Sequence, residues 1–184
     1  MKNLHFQLFA WQTFYHEIWG IKKDFSDLNL PIYQNGFNWL IIMLKDLTPE
    51  QIVQKMREHM KVWVWDEKWL KEVESIRKTD HDYAVWVRDR IEADEELKNL
   101  SADDLKSNGT NCLTLEERLM LEFFYFWKNK KHLDIQNVTS CTGSRYSGGS
   151  VPYVGWYSSC GGVGVDWFYA VDRDESMRGR VAVS

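Results

Sequence analysis

The run Asp80-His81-Asp82 is the group of side chains that most suggests chemistry in this sequence of 184 residues. Two carboxylates beside an imidazole could supply metal ligands or an acid–base pair. Adjacent residues in a loop rarely converge on one ion, however, so the pattern favours a solvated turn. His16-Glu17 lacks the second histidine, four residues on, that a metalloprotease helix carries. Gly162-Val163-Gly164 is a fragment of a phosphate-binding loop, but the strand pattern after it leaves no helix for a dinucleotide.

Other candidates for metal or thiol chemistry are equally incomplete. Asp172, Asp174 and Glu175 lack the ligand order of a known calcium loop. The cysteines lie near no histidine or second cysteine at a zinc-binding spacing, and one would be left over in any disulfide pairing; they are Cys112, Cys141 and Cys160. We therefore expect free thiols, no catalytic residues, no bound metal and no cofactor.

Charge and hydropathy argue against two classes of partner. The formal net charge of −4 is unsuited to nucleic acid, because phosphate binding requires a basic face. No segment has the apolar run that a membrane-spanning helix needs, and the N-terminus is too polar for a secretory signal. The sequence thus predicts a protein that is not inserted in a membrane and is cytoplasmic by default, with export by another route left open.

The C-terminal third has the composition of a binding surface. Residues 132–184 contain no lysine and one glutamate, yet they hold eight of the eleven glycines. Tyrosine and tryptophan give large, stiff contact area, while serine and glycine supply adaptable hydrogen bonding. We interpret this region as a recognition face for a macromolecular ligand, most simply a protein.

The first 131 residues carry all fourteen lysines and are predicted to be mainly helical. Apolar spacings of three and four predict a helix over 4–20, and two capping boxes begin further helices at Thr48 and Thr114. The helix after Thr114 is apolar over most of its circumference, which predicts a buried central helix. Polar helical stretches are expected up to residue 77 and over 92–105. Residues 61–65 and 83–88 are predicted strands, and the apolar run 37–44 fits either a strand or a buried helix.

After residue 131 the periodicity changes from about 3.6 to 2, which predicts a small antiparallel sheet with turns at the glycine pairs 148–149 and 161–162. One alternation phase is predicted to be buried and contains Val154, Trp156, Val165 and Trp167. Aromatic residues in the opposite phase or in turns are predicted to be exposed, and these are Tyr153, Tyr157, Phe168 and Tyr169.

Three segments of this region resemble the end of C-type-lectin-like domains, and more narrowly the variable proteins of diversity-generating retroelements: VPYVGW at 151–156, GVGVDWF at 162–168 and MRGRVAV at 177–183. The resemblance implies an α+β, C-type-lectin-like domain over residues 81–184, preceded by a mainly helical region over 1–80. Its strand, two helices and hairpin-rich sheet map to 83–90, 93–106, 114–128 and 138–184. The last strand of such domains pairs with the first, so residues 180–183 are expected to pair antiparallel with 83–88.

In the variable proteins a reverse transcriptase rewrites adenine positions of a C-terminal repeat, and the rewritten codons exclude Lys, Glu, Gln, Met and Trp. Residues 137–172 contain none of these except Trp156 and Trp167, both assigned to the core. A Gly/Ser-rich sheet that simply lacks long charged side chains would show the same composition. The calcium- and sugar-binding tripeptides of true lectins are absent, as is the reactive cysteine pair of the formylglycine-generating enzymes, which argues against both activities.

The resemblance implies a diversified ligand-binding surface on a lectin-like scaffold, with the variable region over 144–173. A lectin-like module of fixed specificity is the alternative, and an enzyme that uses Asp and Arg groups on the same face is a second. The predicted ligand-binding residues are Tyr146, Ser147, Tyr153, Gly155, Tyr157, Ser158, Ser159, Cys160, Gly162, Gly164, Asp166, Phe168, Tyr169 and Asp172.

Overall fold

The chain is a mixed α+β protein, described over residues 4–184 by a computed structural model. Its helices are α1 (Leu4–Trp19), α2 (Pro49–Arg57), α3 (Ala102–Ser107) and α4 (Leu115–Asn129), with 3-10 turns at Glu67–Lys71 and Glu95–Leu97. The capping boxes predicted at Thr48 and Thr114 are both present, and Ser101 forms a third. Within residues 4–184, no helix is both long enough and apolar enough to cross a membrane.

Within residues 4–184, nine strands form three sheets. The strands are β1 (Trp39–Met43), β2 (Val62–Val64), β3 (Glu74–Ser75), β4 (Tyr83–Val87), β5 (Val138–Ser140), β6 (Ser144–Arg145), β7 (Val151–Tyr157), β8 (Gly162–Phe168) and β9 (Met177–Arg178). The largest sheet has the order β2-β8-β7-β5-β9, and its centre is the antiparallel β7–β8 hairpin. Both outer strands join in parallel, β2 to β8 and β9 to β5. The predicted antiparallel pairing is therefore present at the centre of the sheet and wrong at its two edges.

Two of the predicted helical stretches are shorter than the sequence suggested. The stretch up to residue 77 is a single 3-10 turn, begun by the Asp66 cap, followed by the short strand β3. The stretch over 92–105 is divided between the 3-10 turn Glu95–Leu97 and α3. Asn99 lies between them with a φ of 59°, a left-handed conformation that a continuous α-helix does not contain.

The predicted pairing of β4 with the C-terminal segment is confirmed in place and direction but not in extent. Trp86 and Val183 exchange two backbone hydrogen bonds, of 2.9 and 3.0 Å, in a single antiparallel bridge. The continuous partner of β4 is instead β1, paired along its whole length from Trp39↔Val87 to Met43↔Tyr83. The apolar run at 37–44 therefore resolves as a strand.

A large hydrophobic core joins residues 4–80 to the rest of the described chain. Trp11 of α1 stacks on Phe124 of α4 with ring centroids 4.0 Å apart, and Phe14 contacts Phe123 edge to face. The same cluster includes Ile41 of β1 and side chains of the β7–β8 hairpin. Helix α4 lies at its centre, as its apolar circumference predicts.

A buried ionic network connects α4 to the C-terminal segment. Arg118 donates to Asp134 at 2.8 Å and to Glu122 at 3.0 Å, and Arg180 donates to Asp134 at 2.8 Å. Arg180 also donates to the carbonyl oxygens of Arg90 and Ile91, at 2.9 and 2.6 Å. Two arginines around one carboxylate thus hold the chain end against a helix and a loop that are distant in sequence.

Candidate functional site

The β7–β8 hairpin has one covered face and one partly open face. Its register places Val154 opposite Val165, and both side chains are fully buried in the core. Trp156 and Trp167 share this phase but are half-buried. Trp156 stacks on His132 with centroids 3.7 Å apart, whereas Trp167 packs against Trp69 at 5.1 Å. The predicted phase is therefore confirmed, but neither tryptophan is fully enclosed.

The opposite side of the sheet, here called the open face, presents aromatic side chains around one carboxylate. It continues from the hairpin onto β2, because Trp63 pairs with Gly164. Trp65 follows at the end of β2 and donates its backbone N–H to Val165 O at 3.0 Å. The open face consists of Trp63, Trp65, Tyr153, Gly155, Tyr157, Gly164 and Asp166.

Glycines form the floor of the open face. Gly164 pairs with Gly155, and neither adds a side chain above the sheet. The Tyr157 ring occupies the space above Gly164, where a Cβ atom would lie 2.6 Å from its Cε2 atom. Tyr157 is nearly parallel to Trp63, with an interplanar angle of 24° and centroids 6.3 Å apart. Gly164 thus lets the Tyr157 ring lie close above the strand, beside Trp63.

Asp166 lies beside these rings and is fixed by neutral donors. Tyr153 pairs with Asp166 across the hairpin, and its hydroxyl donates to Oδ2 at 3.2 Å. The backbone N–H of Trp167 donates to Oδ1 at 2.8 Å. Burial raises the pKa of Tyr153, and a hydrogen bond with Tyr157 and the charge of Asp166 raise it further. Burial likewise raises the pKa of Tyr157. Both phenols therefore remain protonated hydrogen-bond donors.

Helix α3 covers one end of this face, which corrects the prediction for Phe168. Phe168 pairs with Val151 and is only 7% exposed, in a small apolar cluster with Ala102 of α3. Alternation places Phe168 on the predicted side of the sheet, but a helix lies over it there. Its ring lies beside the open face, under α3, and does not reach solvent as predicted.

The turn of the hairpin carries the most exposed of the predicted residues. Ser158 and Ser159 are exposed, whereas Cys160 is half-buried. Lys61 donates from Nζ to the carbonyl oxygen of Cys160 at 2.9 Å. The aliphatic part of Lys61 also lies over Gly162, 3.3 Å from where a Cβ atom would be. This lysine therefore closes the turn end of the open face.

Four predicted ligand-binding residues lie away from the open face. Tyr146 is 7% exposed and packs on Trp69, the residue that also covers Trp167. Tyr169 is 61% exposed and contacts Trp167 edge to face, while its backbone N–H donates to Asp172. Ser147 is exposed and donates to Glu72 at 2.9 Å. The predicted set is thus divided between two surfaces, and Tyr146, which was included as a ligand-binding residue, is buried.

Sequence reasoning missed Trp63 and Trp65 as surface residues. Trp63 is half-buried on the open face, and Trp65 is 66% exposed. The alternation of Lys61-Val62-Trp63-Val64-Trp65 was the available signal, since it places both tryptophans on the side opposite Val62. Val62 is the buried member of this strand.

The thiols and carboxylates of the described chain offer little for metal or nucleophilic chemistry. Across residues 4–184, no group of three or more His, Cys, Asp and Glu side chains is placed to hold a metal ion. Asp80 and His81 contact one another in an exposed loop. Burial raises the pKa of Cys112 to about 11 and raises that of Cys141 as well. The open face instead presents aromatic rings, two phenolic hydrogen-bond donors and one carboxylate to a binding partner.

Comparison of the chain with known protein families, with curated proteins and with solved structures finds no match to any of them.

Proposed function

We propose that this chain is a recognition protein that binds a protein ligand through the open face, on a C-type-lectin-like scaffold diversified by a retroelement. The observation that carries the proposal is the group of partly exposed aromatic side chains on a glycine floor. Large aromatic residues at the centre of an interface supply most of its binding energy. Ordinary solvated sheet faces are polar, and grouped exposed rings mark interaction sites.

The order of elements supports the lectin-like part of the proposal. A strand (β4), two helices (α3 and α4) and a hairpin-rich sheet follow one another, and the chain end returns to β4 through Val183. Arg180 reinforces this closure from inside the core. A scaffold closed in this way tolerates substitution on an outer sheet face, because the face contributes little to the core.

The distribution of residue types supports diversification. Tyr153, Tyr157, Ser158, Ser159 and Asp166 all belong to the residue types that adenine rewriting of pyrimidine-ended codons produces. Trp63 and Trp65 lie outside the proposed variable region of 144–173, so they would serve as constant anchors beside variable neighbours. This combination would keep an aromatic contact area while its specificity changed.

The genetic test is to sequence the DNA around the coding region in several strains. The proposal expects a reverse-transcriptase gene, a template repeat covering 144–173, and substitutions at adenine positions of open-face codons. Identical copies in all strains, with neither gene nor template nearby, would instead favour a lectin-like module of fixed specificity.

The biochemical test is a pair of display libraries selected against one purified protein. The first randomises five open-face or turn positions: Tyr153, Tyr157, Ser158, Ser159 and Asp166. The matched control randomises five exposed positions of α1 and α4: His5, His16, Glu17, Lys128 and Asn129. We expect folded binders from the first library alone. Equal yields of binders from both libraries would contradict a specialised role for the open face.

A further inference from the structure

We propose that Asp166 and the rings around it form a site for a cationic side chain, lysine or arginine, of the protein ligand. This inference rests on the proposed function and names the chemistry that the open face recognises. It follows from three features of Asp166: its hydrogen-bond partners, its aromatic neighbours and the absence of a neutralising charge in the part of the chain that the structure describes.

Asp166 is a half-buried carboxylate that has neutral partners. Its two oxygens accept from the Tyr153 hydroxyl and the Trp167 backbone N–H. Among residues 4–184, no lysine, arginine or histidine forms an ion pair with it. Lys61, which immediately precedes β2, donates to the carbonyl oxygen of Cys160 beyond Gly162. Removing a carboxylate further from water without a counter-charge is costly, so a ligand that covers this face must supply one.

Aromatic residues lie on several sides of Asp166, on the same side of the sheet. Tyr153 flanks it on β7, and the parallel register of β2 with β8 places Trp65 on its other side. Along β8, Gly164 precedes it by two residues and is covered by the ring of Tyr157. On the remaining side Phe168 closes the apolar surface. A cation over this carboxylate would therefore also meet the faces or edges of three partly exposed rings.

The combination of one carboxylate and several rings is selective for positive charge. A lysine ammonium or arginine guanidinium gains from the ring quadrupoles as well as from the carboxylate. An anionic group is repelled by Asp166, and a neutral apolar group would cover the carboxylate without compensating it. The aliphatic stem of lysine or arginine would lie against Tyr157 and Trp65, since such stems pack well on apolar surface.

The test is a titration of the isotope-labelled full chain with four short peptides, acetyl-Gly-Xaa-Gly-amide, followed by nuclear magnetic resonance. Xaa is lysine, arginine, norleucine or glutamate. We expect the lysine and arginine peptides to shift the indole signals of Trp63 and Trp65 and the backbone amide of Asp166. Norleucine, which has an uncharged aliphatic chain, should produce far smaller shifts, and glutamate none.

The decisive variant is Asp166→Asn, whose side chain keeps hydrogen-bonding capacity toward Tyr153 and Trp167. It should weaken binding of the lysine peptide by about tenfold, the magnitude of one charge-assisted contact, because the aromatic rings remain in place. Asp174→Asn is the matched control, because Asp174 is exposed and precedes β9 at the opposite edge of the sheet from β2. This control should bind the peptide as the parent chain does.

Two outcomes would overturn the inference: equal shifts from norleucine and lysine, or unchanged lysine binding in Asp166→Asn. Either would leave recognition by the open face intact, provided that the first display library still yields binders. Failure of that library would remove the proposed function itself, whatever the peptides show. The two failures are therefore distinguishable.

Discussion

The ring of Tyr157 occupies the space that a side chain at Gly164 would fill: a Cβ atom there would lie 2.6 Å from Cε2 and 2.9 Å from Cδ2 of the ring. Gly155, opposite Gly164 in the hairpin, is limited by a different neighbour. A Cβ atom at Gly155 would lie 2.6 Å from Cγ1 of Val138 and 3.3 Å from the carbonyl oxygen of Asn137. One glycine thus accommodates a movable surface ring, and the other the adjacent strand β5.

Substitution of the two glycines by alanine should affect stability to different extents. Gly164→Ala should move the partly exposed Tyr157 ring off the sheet and change the free energy of unfolding by less than about 1 kcal/mol. Gly155→Ala should cost about 1–3 kcal/mol, because β5 cannot shift without disturbing the sheet. Urea unfolding measures the difference, and Tyr157 ring signals report the movement. Equal destabilisation by both changes would show that the Tyr157 ring is held rigidly.

The carboxylate of Asp134 should be a large single contributor to stability. Asp134→Asn leaves Arg118 and Arg180 buried without their shared counter-charge, and breaking a buried pair in this way costs about 3–5 kcal/mol. The control is Glu58→Gln, which removes an exposed partner of Lys55 and should change stability by less than about 1 kcal/mol. Chemical unfolding of both variants tests this, and similar midpoints would contradict it.

The same carboxylate should make stability depend on pH in the acid range. Burial opposes ionisation of Asp134, but the charges of Arg180 and Arg118 outweigh it and lower the pKa in the folded protein. A lowered folded-state pKa gives stability that is fully present above the unfolded value, about 3.9 for aspartate, and is lost as pH falls through the folded value. The difference in stability between the parent chain and Asp134→Asn should therefore be constant from neutral pH to about 5 and decrease below about 4. A stability difference that grows on acidification would contradict a lowered pKa of Asp134 in the folded protein.

The last six residues should be required for folding. Removing residues 179–184 deletes Arg180 from the ionic network and the Trp86–Val183 bridge, and it also removes the hydrogen bond from Ala182 N to Asn111 O. We expect loss of the cooperative thermal transition. Removal of the exposed Ser184 alone should leave the melting temperature nearly unchanged. A truncated chain that still unfolds cooperatively would show that the closure is dispensable.

Phe168 and Tyr169 are adjacent in sequence, but their replacement by alanine should destabilise the fold by very different amounts. Phe168→Ala empties the cluster against Ala102 and should cost about 3–5 kcal/mol, the usual loss for a buried aromatic side chain. Tyr169→Ala should cost less than about 1 kcal/mol, because 61% of this residue is already exposed. Thermal and urea unfolding compare the two variants. The reverse order would mean that α3 does not cover the sheet.

The three free thiols should react at very different rates. Cys112 and Cys141 are buried, and burial raises the pKa of Cys112 to about 11, so little of its thiolate exists near neutral pH. Cys160 is half-buried in the hairpin turn. Iodoacetamide should modify Cys160 alone in the native protein and all three thiols in denaturant. Mass spectrometry of the peptides identifies the modified sites, and rapid native labelling of Cys141 would place it outside the core.

Local sequence signals were sufficient for the elements whose ends and faces depend on their own residues. The capping boxes at Thr48 and Thr114 begin helices because each pairs donors and acceptors within four residues. The alternation of Val154 and Val165 placed both valines in the core because the side chains of a strand point to its two sides in turn. The amino-acid composition of the C-terminal third likewise indicated which hairpin carries the candidate site.

Tertiary structure alone decided which elements cover that hairpin. Phe168 and Tyr153 share one alternation phase, but α3 covers the first and leaves the second partly open. Trp63 and Trp65 joined the open face because β2 pairs in parallel with β8, a contact between segments about 100 residues apart. Local periodicity states which side of a strand a residue occupies. It does not state what packs there, since that depends on long-range contacts that periodicity does not encode.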